Sequence, residues 1–289
     1  MTRKLFAVMA MLLLCPAVSQ ETDPPGTGYA GMDGDVINYE YYDFGGFQLL
    51  MSDHRLKWRG AGGLFDGVVA LVSPQVSAVA DNIYFMSWPT QGEGGDNVVV
   101  NFDAMTVNAH LGGGDRFRLI HGVVHCRNSS DCIAPEGDVM SPEEVMQTLM
   151  TNAQLAGLAG PPGGPPGGPP GGLPGAPPEA GPLSPADLGA REALRGKLLR
   201  YETDSGTTSV EVADDATIVS EDGADETSHA THATQIAEDV FFISWGGAHG
   251  GNHIVFNAAT MKVYDQIMPD GTRREAIYDA NCFDMPAMC

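Results

Sequence analysis

The chain has 289 residues, 37 of them acidic against 15 basic, for a formal charge of −22. A surface that negative repels phosphate backbones and anionic headgroups, which argues against nucleic-acid or membrane-surface partners. The apolar share of 43% is ordinary, so the charge does not prevent the chain from building cores.

The N-terminus reads as a signal peptide over 1–19. Thr2-Arg3-Lys4 is a short basic region, Leu5 to Leu14 an apolar core too short to span a bilayer, and Ala17-Val18-Ser19 a small-x-small cleavage site. Its removal takes Arg3 and Lys4 away and moves the charge from −22 to −24. The mature chain is therefore expected to be periplasmic or secreted, with no segment inserted in a membrane. Residues 20–35 are rich in Gly, Asp and Pro and are expected to be disordered.

From Val36 the apolar runs are short and rich in β-branched and aromatic residues: Phe47–Met51, Val68–Ser73, Ile83–Trp88, Val98–Phe102 and Phe117–Val124. Gly and Asp clusters separate them, as in an antiparallel sheet or small barrel. This first domain is bounded at 36–140. Over 141–195 the pattern changes. Ser141-Pro142-Glu143-Glu144 is a capping box with Pro at the first helical position, and an apolar stripe follows to about Leu158. Gly160 to Pro170 is a Pro-Pro-Gly-Gly run that holds neither helix nor strand. Ser184-Pro185-Ala186-Asp187 opens a second helix through about Arg195. The two helices cap the barrels, pack on each other, or form frayed ends of a tether. A second domain is bounded at 196–289, and cutting the linker is expected to release two separately folded halves.

The second domain repeats the first. Ile83-Tyr84-Phe85-Met86-Ser87-Trp88 returns as Val240-Phe241-Phe242-Ile243-Ser244-Trp245. Asn101, Met105, Val107, Arg118 and Cys126 return 156 residues later as Asn257, Met261, Val263, Arg274 and Cys282. A repeat this long means two homologous domains rather than a solenoid. Once Cys15 leaves with the signal peptide, four cysteines remain in two close pairs, Cys126/Cys132 and Cys282/Cys289. In an exported protein this spacing predicts one local disulfide per domain.

Candidate chemistry is sparse. Trp58, Trp88 and Trp245 end strands and suit either a ligand pocket in a barrel mouth or core anchors. Arg118 and Arg274 occupy equivalent places, where they bind an anion bidentately or simply face outward. His229, His232, His249 and His253 crowd into 25 residues and are candidate ligands for a divalent metal, with surface or hydrogen-bonded histidines as the alternative. No cofactor is otherwise expected. No nucleophile elbow, phosphate loop or dinucleotide fingerprint is present.

The order of motifs resembles a known family. Leu56-Lys57-Trp58-Arg59-Gly60, Ile83–Trp88 and Val98–Asp103, with Gly196–Tyr201, Val240–Trp245 and His253–Asn257 in the second copy, are similar to the MoaF-like domains, named for molybdenum cofactor biosynthesis protein F. The resemblance covers about two thirds of the mature chain. It implies all-β architecture: two tandem small lipocalin-like antiparallel barrels of calycin type. Where the family often carries an acid after the Ser-Trp, Pro89-Thr90-Gln91 and Gly246-Gly247-Ala248 stand here. In this alignment Val210-Glu211-Val212 takes the place of Leu56-Lys57-Trp58. The expectation is an exported binder of a small molecule. The alternatives are a calycin-type enzyme acting on a small organic acid and a purely structural module.

Overall fold

The computed structural model describes residues 26–89, 95–113, 116–156, 183–213, 216–221, 225–247, 251–268 and 271–289. The signal-peptide pattern and the Gly160–Pro170 run lie outside them. The first unit has nine strands: β1 (Val36–Tyr41), β2 (Gly45–Ser52), β3 (Arg55–Ala61), β4 (Val69–Val72), β5 (Gln75–Ala80), β6 (Ile83–Pro89), β7 (Gly95–Asn101), β8 (Thr106–Gly113) and β9 (Arg116–Arg127). Two helices follow, α1 (Pro142–Leu155) and α2 (Pro185–Leu194). The second unit has β10 (Lys197–Thr203), β11 (Gly206–Val212), β12 (Ala216–Glu221), β13 (Thr227–Ala230), β14 (His232–Ala237), β15 (Val240–Trp245), β16 (Asn252–Asn257), β17 (Lys262–Ile267) and β18 (Arg273–Asp284).

Both sheets are antiparallel and have the same topology, β4-β3-β2-β1-β9-β8-β7-β6-β5 and β13-β12-β11-β10-β18-β17-β16-β15-β14. Each is an up-and-down meander rolled round a core, with first and last strands paired and the break between the fourth and fifth. Two irregularities are duplicated, while a bulge between Asp265 and Ile267 belongs to the second sheet alone. One bulge falls at Asn38/Tyr39 and again at Arg200/Tyr201; another falls between Ala78 and Ala80 and again between Gln235 and Ala237. Met105 and Met261 both take a left-handed turn conformation after their Asn.

The bulges fix which positions correspond, and they correct the motif alignment. Val210–Val212 lies on β11, the counterpart of β2, whereas Trp58 lies on β3, the counterpart of β12. Counting from the shared bulge through Ile37↔Leu49↔Trp58 and Leu199↔Val210↔Val219 makes Val219 the equivalent of Trp58. The motif match slipped by one strand because both strands are short runs of alternating apolar residues. Nothing local separates them.

The halves are not independent. Strands β6 and β15 are buried on both faces: one face fills its own barrel and the other meets the opposite barrel. A separate core of Val79, Phe85, Val99, Ile236, Phe242 and Val255 lies between them. Phe85 and Phe242, equivalent residues, pack tilted against each other with ring centroids 5.7 Å apart. Burying each Phe contributes roughly 1.5–3 kcal/mol, which separated halves would forfeit. The expectation of two separable barrels therefore gives way to a sheet-on-sheet pair with pseudo-two-fold symmetry.

The connecting helices serve different barrels. Both start where the sequence places them and open on capping boxes, the one read at Ser141/Glu144 and a further one at Ser184/Asp187. Helix α1 lies on the 3-10 turn Gly63–Phe65, where Asn152 Nδ2 donates to the carbonyls of Leu64 and Asp66, both at 2.9 Å. Helix α2 sends Ala190 and Leu194 into the second core. Residues 26–35, assigned to disorder by composition, are anchored instead: Tyr29 and Met32 are buried and Gly28 N–H bonds Val76 O. Two apolar anchors suffice to hold a glycine-rich stretch. The disulfides form as expected, Cys126–Cys132 and Cys282–Cys289, each at the end of the last strand of its barrel.

Candidate functional site

The first barrel contains an aromatic chamber. Tyr39 and Tyr41 of β1, Phe47 of β2, Trp58 of β3 and Trp88 of β6 form its walls. Phe44 and Phe65, both half-buried, stand at its rim. These rings pack edge-to-face or tilted, as at Phe47–Trp58 (5.9 Å) and Trp58–Phe65 (6.0 Å). They sit together because alternate residues of adjacent strands share one face of the sheet. Val98 and Leu111 complete the apolar lining around a space of about 30 Å³. That is room for one or two waters or a group of similar size.

The chamber's polar atoms are unbalanced. Trp58 and Trp88 are 9% and 3% exposed, and neither indole N–H has a hydrogen-bond acceptor. A buried donor without a partner is costly, and such atoms are rare in folded proteins. Asp96 of β7 adds a carboxyl. Burial raises it to about 6, while the Trp88 indole and the Arg273 guanidinium pull the other way. The Trp88 N–H thus lies close enough to stabilise the carboxylate without reaching hydrogen-bond geometry. Burial also raises the hydroxyls of Tyr39 and Tyr41, which stay neutral.

The second barrel lacks this constellation. The positions of Phe47, Trp58 and Asp96 hold Thr208, Val219 and Asn252, by register with Tyr201, Val210 and Trp245. Trp245 is simply part of the second core. Of the tryptophans singled out from sequence, Trp58 and Trp88 therefore converge and Trp245 does not. Of the arginines, Arg118 is half-buried in register with Leu111 of the chamber wall, whereas Arg274 is exposed. Phe47 stands out in the sequence only as the start of a strand, and neither Tyr39 nor Asp96 carries a functional signal, Asp96 being one carboxylate among 37 acidic residues.

Histidines occupy the seam between the barrels. His110 of β8 is fully buried; its Nδ1 meets Ser244 Oγ at 2.7 Å and its Nε2 meets Thr234 Oγ1 at 3.0 Å. Ser244 Oγ also meets His253 Nδ1 at 2.8 Å. Thr234 donates to Asp187 Oδ1 at 2.6 Å, and Asp187 Oδ2 pairs with His121 Nε2 at 2.9 Å. Burial works to raise Asp187, but the hydrogen bonds from His121, Thr234 and Ser184 win and hold its carboxyl below the usual range. At the mirror position Gln266 Nε2 donates to Ser77 Oγ and to Phe85 O, both at 2.9 Å.

The proposed metal ligands are spread through this region. His229 on β13 bonds Thr227, His253 belongs to the seam network, and His232 stands 5.0 Å from the Phe117 ring. Burial and Arg191 lower His232 to about 4. His249 lies outside the described residues. Among the described residues no three His, Cys, Asp or Glu side chains converge on one point as ligands of an ion would.

Comparison with known proteins adds little. No family model matches the chain, and no curated protein matches it. Among solved structures, a Burkholderia vietnamiensis protein described as a "putative beta-lactamase" is similar at 15% identity, over 32% of this chain and 93% of that one, with a TM-score of 0.30.

Proposed function

We propose that this is an exported binding protein whose first barrel holds a small molecule and whose second barrel supports it. The observation that carries this reading is the pair of buried indole N–H groups, Trp58 and Trp88, left without acceptors around a space beside Asp96. A ligand atom would complete them. The absence of the same set from the second barrel favours a site over a feature of the fold. The MoaF-like resemblance agrees, because lipocalin-like barrels hold ligands inside. The two local disulfides suit an oxidising compartment, and the leader over 1–19 supports periplasmic or secreted export.

One observation favours an enzyme instead. A carboxyl raised to about 6 that shares the chamber with two tyrosines is poised as a general acid or base. The test is a metabolite screen on the mature chain, read by tryptophan fluorescence and melting temperature, with Trp58→Val installing the second barrel's residue. Ligands that shift the parent and not the variant support the chamber. Equal shifts in both overturn it. Mass analysis of recovered ligand separates a binder, which returns it unchanged, from an enzyme.

A further inference from the structure

Strand register gathers the chamber's polar groups. Trp88 on β6 is the direct cross-strand partner of Asp96 on β7, so indole and carboxyl lie side by side on the inner face of the sheet. Trp58 comes from β3, far away in the strand order, and barrel closure sets it on the same space of about 30 Å³. Five other aromatic rings enclose that space. No basic side chain is among the described residues that line it. Arg118 is in register with Leu111 without lining the space, and Arg273 lies against Gly95 and Asn97, on the other face of β7. In the second barrel Val219 stands for Trp58 and Asn252 for Asp96, and Asn252 Nδ2 donates to Gly246 O of its own hairpin at 3.3 Å.

We infer that the first barrel's chamber takes an uncharged hydroxyl compound, whose O–H donates to Asp96 and whose oxygen accepts from the indole N–H groups of Trp58 and Trp88. This rests on the reading of the chamber as a binding site. The inventory of donors and acceptors carries it. The two indoles can only donate, and neither has an acceptor within the protein. An ionised Asp96 can only accept. A hydroxyl has one donor and two lone pairs, which match one carboxylate and two N–H groups. Other classes leave part of this set unmet. A cation would pair with Asp96 and lie on the ring faces, but it has no lone pair for either indole. A carboxylate would satisfy the indoles, yet it would stand against Asp96 with no basic side chain lining the space. An amide splits the two roles between two atoms and needs more room than a hydroxyl. Size agrees as well: the space of about 30 Å³ admits one or two waters, and a hydroxyl is a group of that size. The carbon skeleton rests among the rings, and a long one must displace the half-buried Phe44 and Phe65 at the rim.

The test uses the mature full-length chain with nitrogen-15 in its tryptophans, at a pH well above 6, where Asp96 is ionised. The chain has 3 tryptophans, so its indole N–H resonances report Trp58, Trp88 and, as internal control in the second core, Trp245. The probes are ethanol, ethylammonium, acetate and acetamide, which share a two-carbon frame. We expect ethanol to move the Trp58 and Trp88 resonances saturably, at lower concentration than the other three, while Trp245 stays in place. Trp58→Phe and Trp88→Phe keep a ring and lose the N–H, and each should weaken ethanol by about three- to tenfold, the net worth of one hydrogen bond. Asp96→Val should abolish the response, and Asp96→Asn, which keeps an acceptor oxygen, should restore part of it. Tighter binding of ethylammonium, acetate or acetamide than of ethanol overturns the hydroxyl and reassigns the chamber to a cation, an anion or an amide. Ethanol affinity unchanged in both Phe variants overturns it too. So does an equal, unsaturable drift of all three resonances, or no shift with any probe. In those last two cases, metabolite shifts that vanish in Trp58→Val leave the chamber as a site for another class, and shifts that survive Trp58→Val overturn the chamber reading itself.

Discussion

Asn101 and Asn257 make reciprocal bonds across the seam. Asn101 Nδ2 donates to the Ile236 carbonyl at 3.0 Å, and Asn257 Nδ2 donates to the Val79 carbonyl at 2.9 Å. Each also turns its own hairpin with the other end of the amide: Asn101 Oδ1 accepts from Asp103 and Ala104, and Asn257 Oδ1 accepts from Thr260. One side chain thus joins the local turn to the tertiary seam, which explains why Asn recurs at this place in both copies.

Asn101→Ala and Asn257→Ala should each destabilise the protein by about 1–3 kcal/mol, the cost of a lost buried hydrogen bond and an orphaned carbonyl. Phe242→Ala should cost more, about 3–5 kcal/mol, through the cavity it leaves in the seam. Urea denaturation followed by near-ultraviolet dichroism measures both. The parent should unfold in one transition, and cutting within 160–170 should leave the halves associated on gel filtration. Two transitions or clean separation would contradict the shared seam.

Acid should loosen the seam through His110. Burial first, then the neighbouring His253, His232 and His121, hold His110 well below its usual range. The unfolded chain therefore binds a proton at about 6.5 that the folded chain refuses, so this stability is complete above pH 6.5 and is lost as the pH falls below it. Asp187 reaches the ring only through Thr234 and offers it no direct charge pair. His110→Gln, which copies Gln266 at the mirror position, should lower the pH of half-unfolding. A midpoint unmoved by this change would mean that other groups govern acid unfolding.

Asp265 should act in the opposite direction. Burial pushes its carboxyl up to about 7; the Ile267 and Gln266 amides oppose the rise and Glu221 adds to it. The unfolded acid ionises near 4, so folding is progressively penalised as pH rises from about 4 to 7. Asp265→Asn should leave stability unchanged near pH 4 and raise it by up to about 4 kcal/mol at pH 8. Melting curves at the two pH values check this, and an equal effect at both would refute it.

Each disulfide closes a loop of six or seven residues of sequence separation, for which chain entropy gives on the order of 2–3 kcal/mol. Cys282→Ser with Cys289→Ser should lower the melting temperature by several degrees and leave the first barrel's ligand response intact. Peptide mapping under non-reducing conditions should find 126 with 132 and 282 with 289; any link between the barrels would be contrary to the structure.

The MoaF-like resemblance supplied the expectation of tandem barrels, and the residues supported it by several routes. Duplicated apolar runs, paired cysteines and capping boxes are local signals, written in consecutive residues, so the fold class, the disulfides and both helix starts follow from the sequence. Strands such as β5, β8, β12 and β14 carry no such local signal, because Gln75–Ala80 or His232–Ala237 mixes small and polar residues whose burial depends on the opposite barrel. Continuous burial of Ile83–Trp88 and Val240–Trp245 was visible as unbroken apolar character, yet only the seam explains it.

The chemistry was legible only in part. Trp58 and Trp88 stood out by residue type. Nothing in the sequence joins Trp58 to Asp96. Barrel closure brings the two together by strand register, and the docking of the two barrels sets Arg273 against Gly95 and Asn97 on the other face of β7. The sequence by itself determined that the chain is built twice from the same strands, because repeats, turns and caps are near-neighbour properties. Which copy holds a chamber, and how the two barrels meet, was decided by tertiary structure, because register and docking depend on contacts between residues that the chain keeps far apart.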